Sequence, residues 1–147
     1  MRKLRICEIF LDKIKISRTD TAKFVGEVID ENLTWKNDIN YIKNKIAKNV
    51  GILKRLKYRL PGKLLNTLYN TLILPYLNYC NIIWANNKAS RLQPLFKLQK
   101  SSMRIINNSP YNTHALPLFS KLNQLTIFDL NKLSIATFMF RHYKNCL

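Results

Sequence analysis

The chain carries 25 Lys and Arg against 8 Asp and Glu over 147 residues, a formal charge of +17. That length holds one domain with a sizeable core, and 47% apolar against 22% charged residues excludes a disordered chain. Three glycines and five prolines leave no linker or low-complexity segment, and three cysteines do not make a disulfide framework.

The charge is unevenly placed. Seven of the eight acids fall in the first 38 residues, and the eighth is Asp129. Between Ile39 and Phe128 there are fourteen Lys or Arg and no acid. Such a field attracts polyanions, with nucleic acid the first partner class and an anionic membrane the second. Cys7, Cys80 and Cys146 are far apart and only His114 and His142 could join them, so no zinc site follows. Reduced thiols in an intracellular compartment are expected. The opening MRKLRICEIFLDKIKI lacks the uninterrupted apolar run of a signal peptide.

The first thirty residues read as β structure. EIFLDKIKI and KFVGEVI are rich in β-branched and aromatic residues and are separated by SRTDTA. Ile14 and Ile16 alternate with Lys13 and Lys15, a half-exposed edge pattern. Gly26 inside the second segment suggests a bulge or a close backbone approach.

From Thr34 the period becomes helical. Ile39, Ile42, Ile46, Val50, Leu53, Leu56 and Leu60 step by three or four. Thr34 is the expected N-cap, and Asp38 suits the positive end of the helix dipole. Lys45, Lys48, Arg55 and Arg59 fall opposite the apolar stripe, while Lys43, Lys54 and Lys57 lie nearer it. A charged face is usually only a solvated one. No acid shares this face, so phosphate contact is the favoured reading for those four.

Residues 65–87 contain no charged side chain. Asn66, Thr67, Asn70, Thr71, Asn78 and Asn81 nevertheless gather largely on one helical face, with Leu65, Leu68, Leu72, Ile73, Leu77 and Trp84 mostly on the other. Carboxamides in hydrocarbon would each need a partner, so a core helix is favoured over a membrane span. Pro75 removes an N–H and crowds the Thr71 carbonyl. The expected elements are a helix over 62–74, a kink, and a helix over 75–86, with Leu74 biased to extended angles. A further helix is expected from Ser90, whose spacing to Gln93 fits a capping box, to NNSP at 107–110. A loop at 111–114, a short helix at 116–122 and a last helix from Thr126 follow. Asp129 stands where an N-terminal turn favours an anion. Apolar residues surround the last helix, which argues for burial or for cover by other sequence.

No self-contained active site emerges. There is no Asp-Asp pair, no G-x-x-x-x-G-K-[ST], no G-x-S-x-G and no H-E-x-x-H. Asp30-Glu31 is the only adjacent acidic pair, and a solvated turn is its commoner explanation. No catalytic residue and no metal ligand are assigned.

Four segments in order carry a resemblance: KFVGEVIDENLTWKNDI, LYNTLILPYLNYCNIIWA, LFKLQKSSMRIINNSPYNTHALPLF and LNQLTIFDLNKLSIATFMF. Together they resemble the region after the catalytic palm in reverse transcriptases of non-LTR (LINE-like, jockey-type) retrotransposons. The resemblance implies a mainly α fold, an N-terminal β-hairpin followed by a thumb-like bundle of about five helices. Residues 1–33 would be the palm-end hairpin, and 34–147 the thumb-like domain and its extension. Phe24, Val25 and Gly26 match the hairpin that helps to hold the primer end. The family's Tyr-x-Asp-Asp turn and upstream catalytic Asp have no counterpart here. The implied function is therefore a non-catalytic polymerase fragment, inactive alone, with no cofactor of its own and Mg held only in the missing palm. RNA/DNA hybrid or duplex, gripped without sequence preference, and the palm itself are the implied partners, with no membrane. A nuclear or cytoplasmic ribonucleoprotein is the implied setting. Glu27 departs from the usual aliphatic residue and Asp38 from a common His, which places negative charge near the primer-end position. Two other readings stay open on the sequence: a stand-alone basic helical interaction module, and a decayed reading frame without activity.

Overall fold

The computed structural model describes residues 9–144. Cys7, Cys146 and the opening residues of the first β segment lie outside them. Two short antiparallel ribbons precede seven helices. The mainly α expectation holds, but the single hairpin is two. Strand β1 (Ile9–Leu11) pairs with β2 (Ile14–Ile16), with Leu11 opposite Ile14. Strand β3 (Thr21–Phe24) pairs with β4 (Glu27–Asp30), with Phe24 opposite Glu27. Each expected strand thus folds back on itself through a two-residue turn. Asp12 and Lys13 have φ of 48° and 67°, and Val25 and Gly26 have 48° and 90°. Positive φ at both turn positions matches the right-handed twist of the flanking strands. Gly26 therefore serves a turn, where it tolerates φ 90°, and not a bulge.

Asp30 governs the passage into the first helix. Its Oδ1 accepts from the N–H of Asn32 and Thr34, and its Oδ2 from the Thr34 hydroxyl and the Trp35 N–H. These bonds hold the Asp30 carboxyl below the usual carboxylate range, the Thr34 N–H contributing most. Helix α1 (Lys36–Leu56) then starts after Trp35, at φ 58°, one residue beyond the expected Thr34 cap. The Thr34 hydroxyl still accepts from Lys36 N–H at 3.4 Å. Ile39, Ile42, Ile46, Val50 and Leu53 are buried, as their spacing requires. This stripe packs along α5 (Ala89–Ile106), which contributes Leu92, Leu95, Met103 and Ile106 to the core. The capping box expected at Ser90 does not form; the helix starts after Lys88 without a side-chain cap.

The uncharged stretch breaks twice. Helix α2 (Gly62–Leu72) ends at Ile73, whose φ of −118° absorbs the crowding from Pro75. Leu74 is consequently helical, at the head of α3 (Leu74–Asn78), where Pro75 sits harmlessly in the first turn. The expected continuous helix over 75–86 is interrupted by extended Tyr79 and left-handed Cys80 before α4 (Asn81–Trp84). Trp84 is fully buried and donates its Nε1–H to the Tyr79 carbonyl at 2.8 Å.

Part of the asparagine face makes tertiary hydrogen bonds, while Thr67, Asn70, Thr71 and Asn78 remain exposed. Gln124 Nε2 donates to the Oδ1 of Asn66 and Asn70 at 3.3 and 2.9 Å. Asn81 is buried; it donates to the Leu77 carbonyl and accepts from Asn131. Among the described residues, no helix is long and apolar enough to cross a membrane. Helix α6 (Leu116–Lys121) closes against α5, and α7 (Ile127–Tyr143) starts at Thr126, whose hydroxyl accepts from Asp129 N–H as expected. Only Ile127 and Leu130 of α7 are buried. Leu133, Phe138, Met139 and Phe140 are about half exposed or more, so the helix is docked through its N-terminal half, where Asn131 bonds to Asn81 and Ser134 and Ile135 are half-buried.

The buried joint is Gln99. It is fully enclosed, donating to the Tyr69 hydroxyl at 2.9 Å and the Leu125 carbonyl at 2.8 Å and accepting from Ile127 N–H at 2.9 Å. One carboxamide thus ties α2, α5 and the start of α7. Burial pushes the Tyr69 phenol up to about 12, so it stays neutral and available as acceptor.

Gln99→Ala leaves three buried groups short of partners and opens a cavity. A loss of about 2–4 kcal/mol is expected in urea denaturation, against about 1 for Tyr69→Phe. The two helical glycines should respond oppositely. A Cβ at Gly51 meets nothing within 4 Å, so Gly51→Ala should stabilise by about 1 kcal/mol. A Cβ at Gly62 would lie 2.9 Å from the Ile106 carbonyl oxygen, so Gly62→Ala should cost about 1–3 kcal/mol.

Candidate nucleic-acid interface

The core stripe of α1 fixes what its other side presents. Lys48 and Arg55 are exposed on the outer face, and Arg59 continues it just past the last turn, its N–H bonded to the Leu56 carbonyl. Lys45 shares the face but is half-buried, its Nζ 5.4 Å from the centre of the Tyr41 ring. Ten residues separate Lys45 from Arg55, about 15 Å of helix. The ion pairs seen among the described residues are Arg18–Glu31 and Lys132–Asp129, so no acid neutralises these four. Of the three lysines expected nearer the stripe, Lys43 and Lys57 are half-buried and Lys54 is exposed.

Other basic residues have structural duties. Arg91 donates to the Thr34 carbonyl and to Asn87, tying α5 to the start of α1. Arg104 Nε donates to the Thr113 carbonyl at 2.9 Å, and its guanidinium lies 5.6 Å from the Tyr111 ring centre. With Lys100 and His114 it borders a cavity of about 310 Å³ under the 111–114 loop. The sequence offered only the four-residue spacing of Lys100 and Arg104 as a signal; the fold adds the loop.

Phe24, Val25 and Gly26 form the tip of the second ribbon. Phe24 and Val25 are each 67% exposed. The tip is held from below, where the Tyr79 hydroxyl donates to the Val25 carbonyl. Its phenol lies 3.7–3.8 Å from where a Cβ of Gly26 would be. The break at Tyr79–Cys80 therefore positions the tip from 54 residues away.

Beneath the tip, Glu27 on β4 and Asp38 on α1 come together. They are 7% and 1% exposed, and Asp38 Oδ1 accepts from Val28 N–H at 3.1 Å. Burial pushes Glu27 up to about 7, assisted by its hydrogen bond to Asp38 and by Asp38's charge. Burial also raises the Cys80 thiol, with Glu27 adding to the shift. Burial therefore pushes Glu27 toward its neutral form, which lowers the negative charge expected beneath the tip. Asp30 is occupied by its four donors and Glu31 by Arg18, so that adjacent pair serves the turn. Among the described residues no three His, Cys, Asp or Glu cluster as a metal site.

A carboxyl raised by folding stabilises below its unfolded value and loses that contribution as pH rises through its folded one. Glu27 moves from 4.5 to about 7, so the melting temperature should fall between pH 5 and pH 8. The slope is at most about 1.4 kcal/mol per pH unit. Glu27→Gln should flatten it. Asp30, shifted the other way, acts only on acidification. An unchanged profile in Glu27→Gln would show that the pair does not titrate with folding.

Comparison with known proteins relates the chain to a transposon-encoded polymerase. Over 130 residues it is 26% identical to a probable RNA-directed DNA polymerase from transposon X-element of Drosophila melanogaster. The match covers 84% of this chain and 14% of that protein's length. No family model matches the chain, and no solved structure does. The chain is therefore similar to one region of a transposon RNA-directed DNA polymerase and spans a small part of that protein.

Proposed function

We propose that this chain is a non-catalytic segment of a non-LTR retrotransposon reverse transcriptase that grips template–primer nucleic acid. The observation that carries the reading is the outer face of α1, where Lys48, Arg55 and Arg59 stand exposed with no acid to neutralise them. Duplex backbones are held through such phosphate contacts without reading sequence. The helical body would serve as the thumb and its extension. The Phe24–Gly26 tip would face the primer end, held in place by Tyr79. The catalytic carboxylates and their Mg would belong to the palm of a longer protein, and RNA/DNA hybrid or duplex would be the ligand. A nuclear or cytoplasmic ribonucleoprotein is the setting that fits this role.

The surface left uncovered supports a segment reading. Ile9, Leu11, Ile14 and Ile16 of the first ribbon are each at least 50% exposed. A two-stranded ribbon of this kind is marginal without a covering layer. One observation favours a second reading, an interaction module: the exposed Leu133, Phe138, Met139 and Phe140 on α7. Sedimentation of the chain separates the two, since an interaction module would self-associate or be captured through α7 with α1 left free.

Replacing Lys45, Lys48, Arg55 and Arg59 by Gln should weaken hybrid binding and lower the salt slope of log K by about 0.7–0.9 for each phosphate no longer neutralised. Lys48, Arg55 and Arg59 should each contribute more than Lys45, which is half-buried on Tyr41. Fluorescence anisotropy with a labelled hybrid at several salt concentrations reads this. An unchanged slope in the quadruple variant would remove α1 from the interface.

A further inference from the structure

We propose that the cavity beneath the β3–β4 turn is a binding site for a guanidinium group, with Glu27 and Asp38 as its anionic floor. The cavity holds about 320 Å³ between the turn and helices α1 and α3, and both carboxyls line it. Beyond the proton they can share with each other, Glu27 Oε2 and Asp38 Oδ2 have no hydrogen-bond partner, although both side chains are more than nine-tenths buried. Buried carboxyl oxygens are costly unless paired, and no Lys, Arg or His among the described residues pairs with these. Tyr41, Tyr76 and Tyr79 supply aromatic walls.

The chemistry selects the ligand. Two carboxyls from different elements suit the forked donors of a guanidinium, which is weakly hydrated and stacks on aromatic rings. An ammonium is a compact, strongly hydrated charge and gains less from such walls. The local field permits a cation here. Residues 1–38 hold seven acids against eight bases, and residues 65–87 are uncharged. The remaining excess, seventeen bases against one acid, lies after residue 38. The cavity takes Gly26, Glu27 and Asp38 from the near-neutral segment and Pro75, Tyr76 and Tyr79 from the uncharged one, while Tyr41 and Ile42 come from the basic helix α1. The groups that face the pair are Tyr41 with Lys45 above its ring on α1, Tyr76 on α3, and Tyr79 and Cys80 at the break.

Near and below neutral pH, burial favours the protonated form of Glu27 in the free protein. A bound guanidinium favours the doubly ionised pair, so binding releases that proton to the buffer. Affinity should therefore rise with pH from 6 to 8, by up to about tenfold per unit.

The test is calorimetric titration of the full chain with ethylguanidinium and with an acetylated, amidated Gly-Arg-Gly peptide. n-Butylammonium and the citrulline peptide serve as controls, in two buffers of different ionisation heat. Single-site binding by the guanidinium ligands, tighter at pH 8 than at pH 6, with up to one proton released, is expected. Glu27→Gln/Asp38→Asn should weaken it at least tenfold. Tyr76→Leu, which leaves the carboxyls in place, should weaken it several-fold. A peptide more than tenfold tighter than ethylguanidinium assigns the site to an arginine on a protein partner; equal affinities assign it to a small guanidinium compound. Absence of saturable binding overturns the site, as does binding that is independent of pH or unchanged in the double variant and Tyr76→Leu.

Discussion

One helix must be dry on one side and charged on the other, and the rest of the molecule is arranged around that demand. The stripe of α1 from Ile39 to Leu53 can only be satisfied by another apolar surface, which α5 supplies along its length. Its opposite face carries cations that no acid in residues 39–128 can neutralise. Burial of the stripe therefore orients the basic face outward without any further device. Packing energy, rather than charge, decides where the charge points.

The same helix also carries the ribbon. Asp38, in its first turn, receives the Val28 N–H and meets Glu27, while Asp30 shapes the turn between strand and helix. Tyr79 takes the far end of the ribbon. The tip is thus clamped at two points by groups on different elements. A clamp that includes a buried, proton-sharing pair is sensitive to its surroundings in a way that an aliphatic contact is not.

Much of this was legible in sequence, and the failures have identifiable causes. Period-three and period-four spacing located α1, because a long helix repeats its burial pattern often enough to be read, and NNSP marked the end of α5. Thr126 and Asp129 signalled the start of α7 through local chemistry alone. The two-ribbon arrangement was missed because Asp12-Lys13 adopts a turn usually built with Gly or Asn. The break at Cys80, with φ 47°, has no Gly or Pro to announce it and depends on tertiary contacts such as Trp84 to Tyr79. Glu27 and Asp38 were visible singly as departures from the resemblance. Their partnership was not, since eleven residues, a turn and a change of secondary structure separate them. Gln99 was likewise hidden: a carboxamide inside an apolar helix reveals its role only when Tyr69, Leu125 and Ile127 converge on it.

The pairing of α1 with α5 also sets a schedule. Helix α1 ends at Leu56 and α5 at Ile106, so the partner surface is completed 50 residues later. At about 5–20 residues per second, a ribosome needs about 3–10 s to cover that distance. During that interval the nascent chain holds an apolar stripe covered only in part, by β4, α2 and α3, and most helical stability in proteins comes from such packing. The domain is closed by its C-terminal half. A chain arrested before residue 106 would be a client for chaperones, not a folded half-domain.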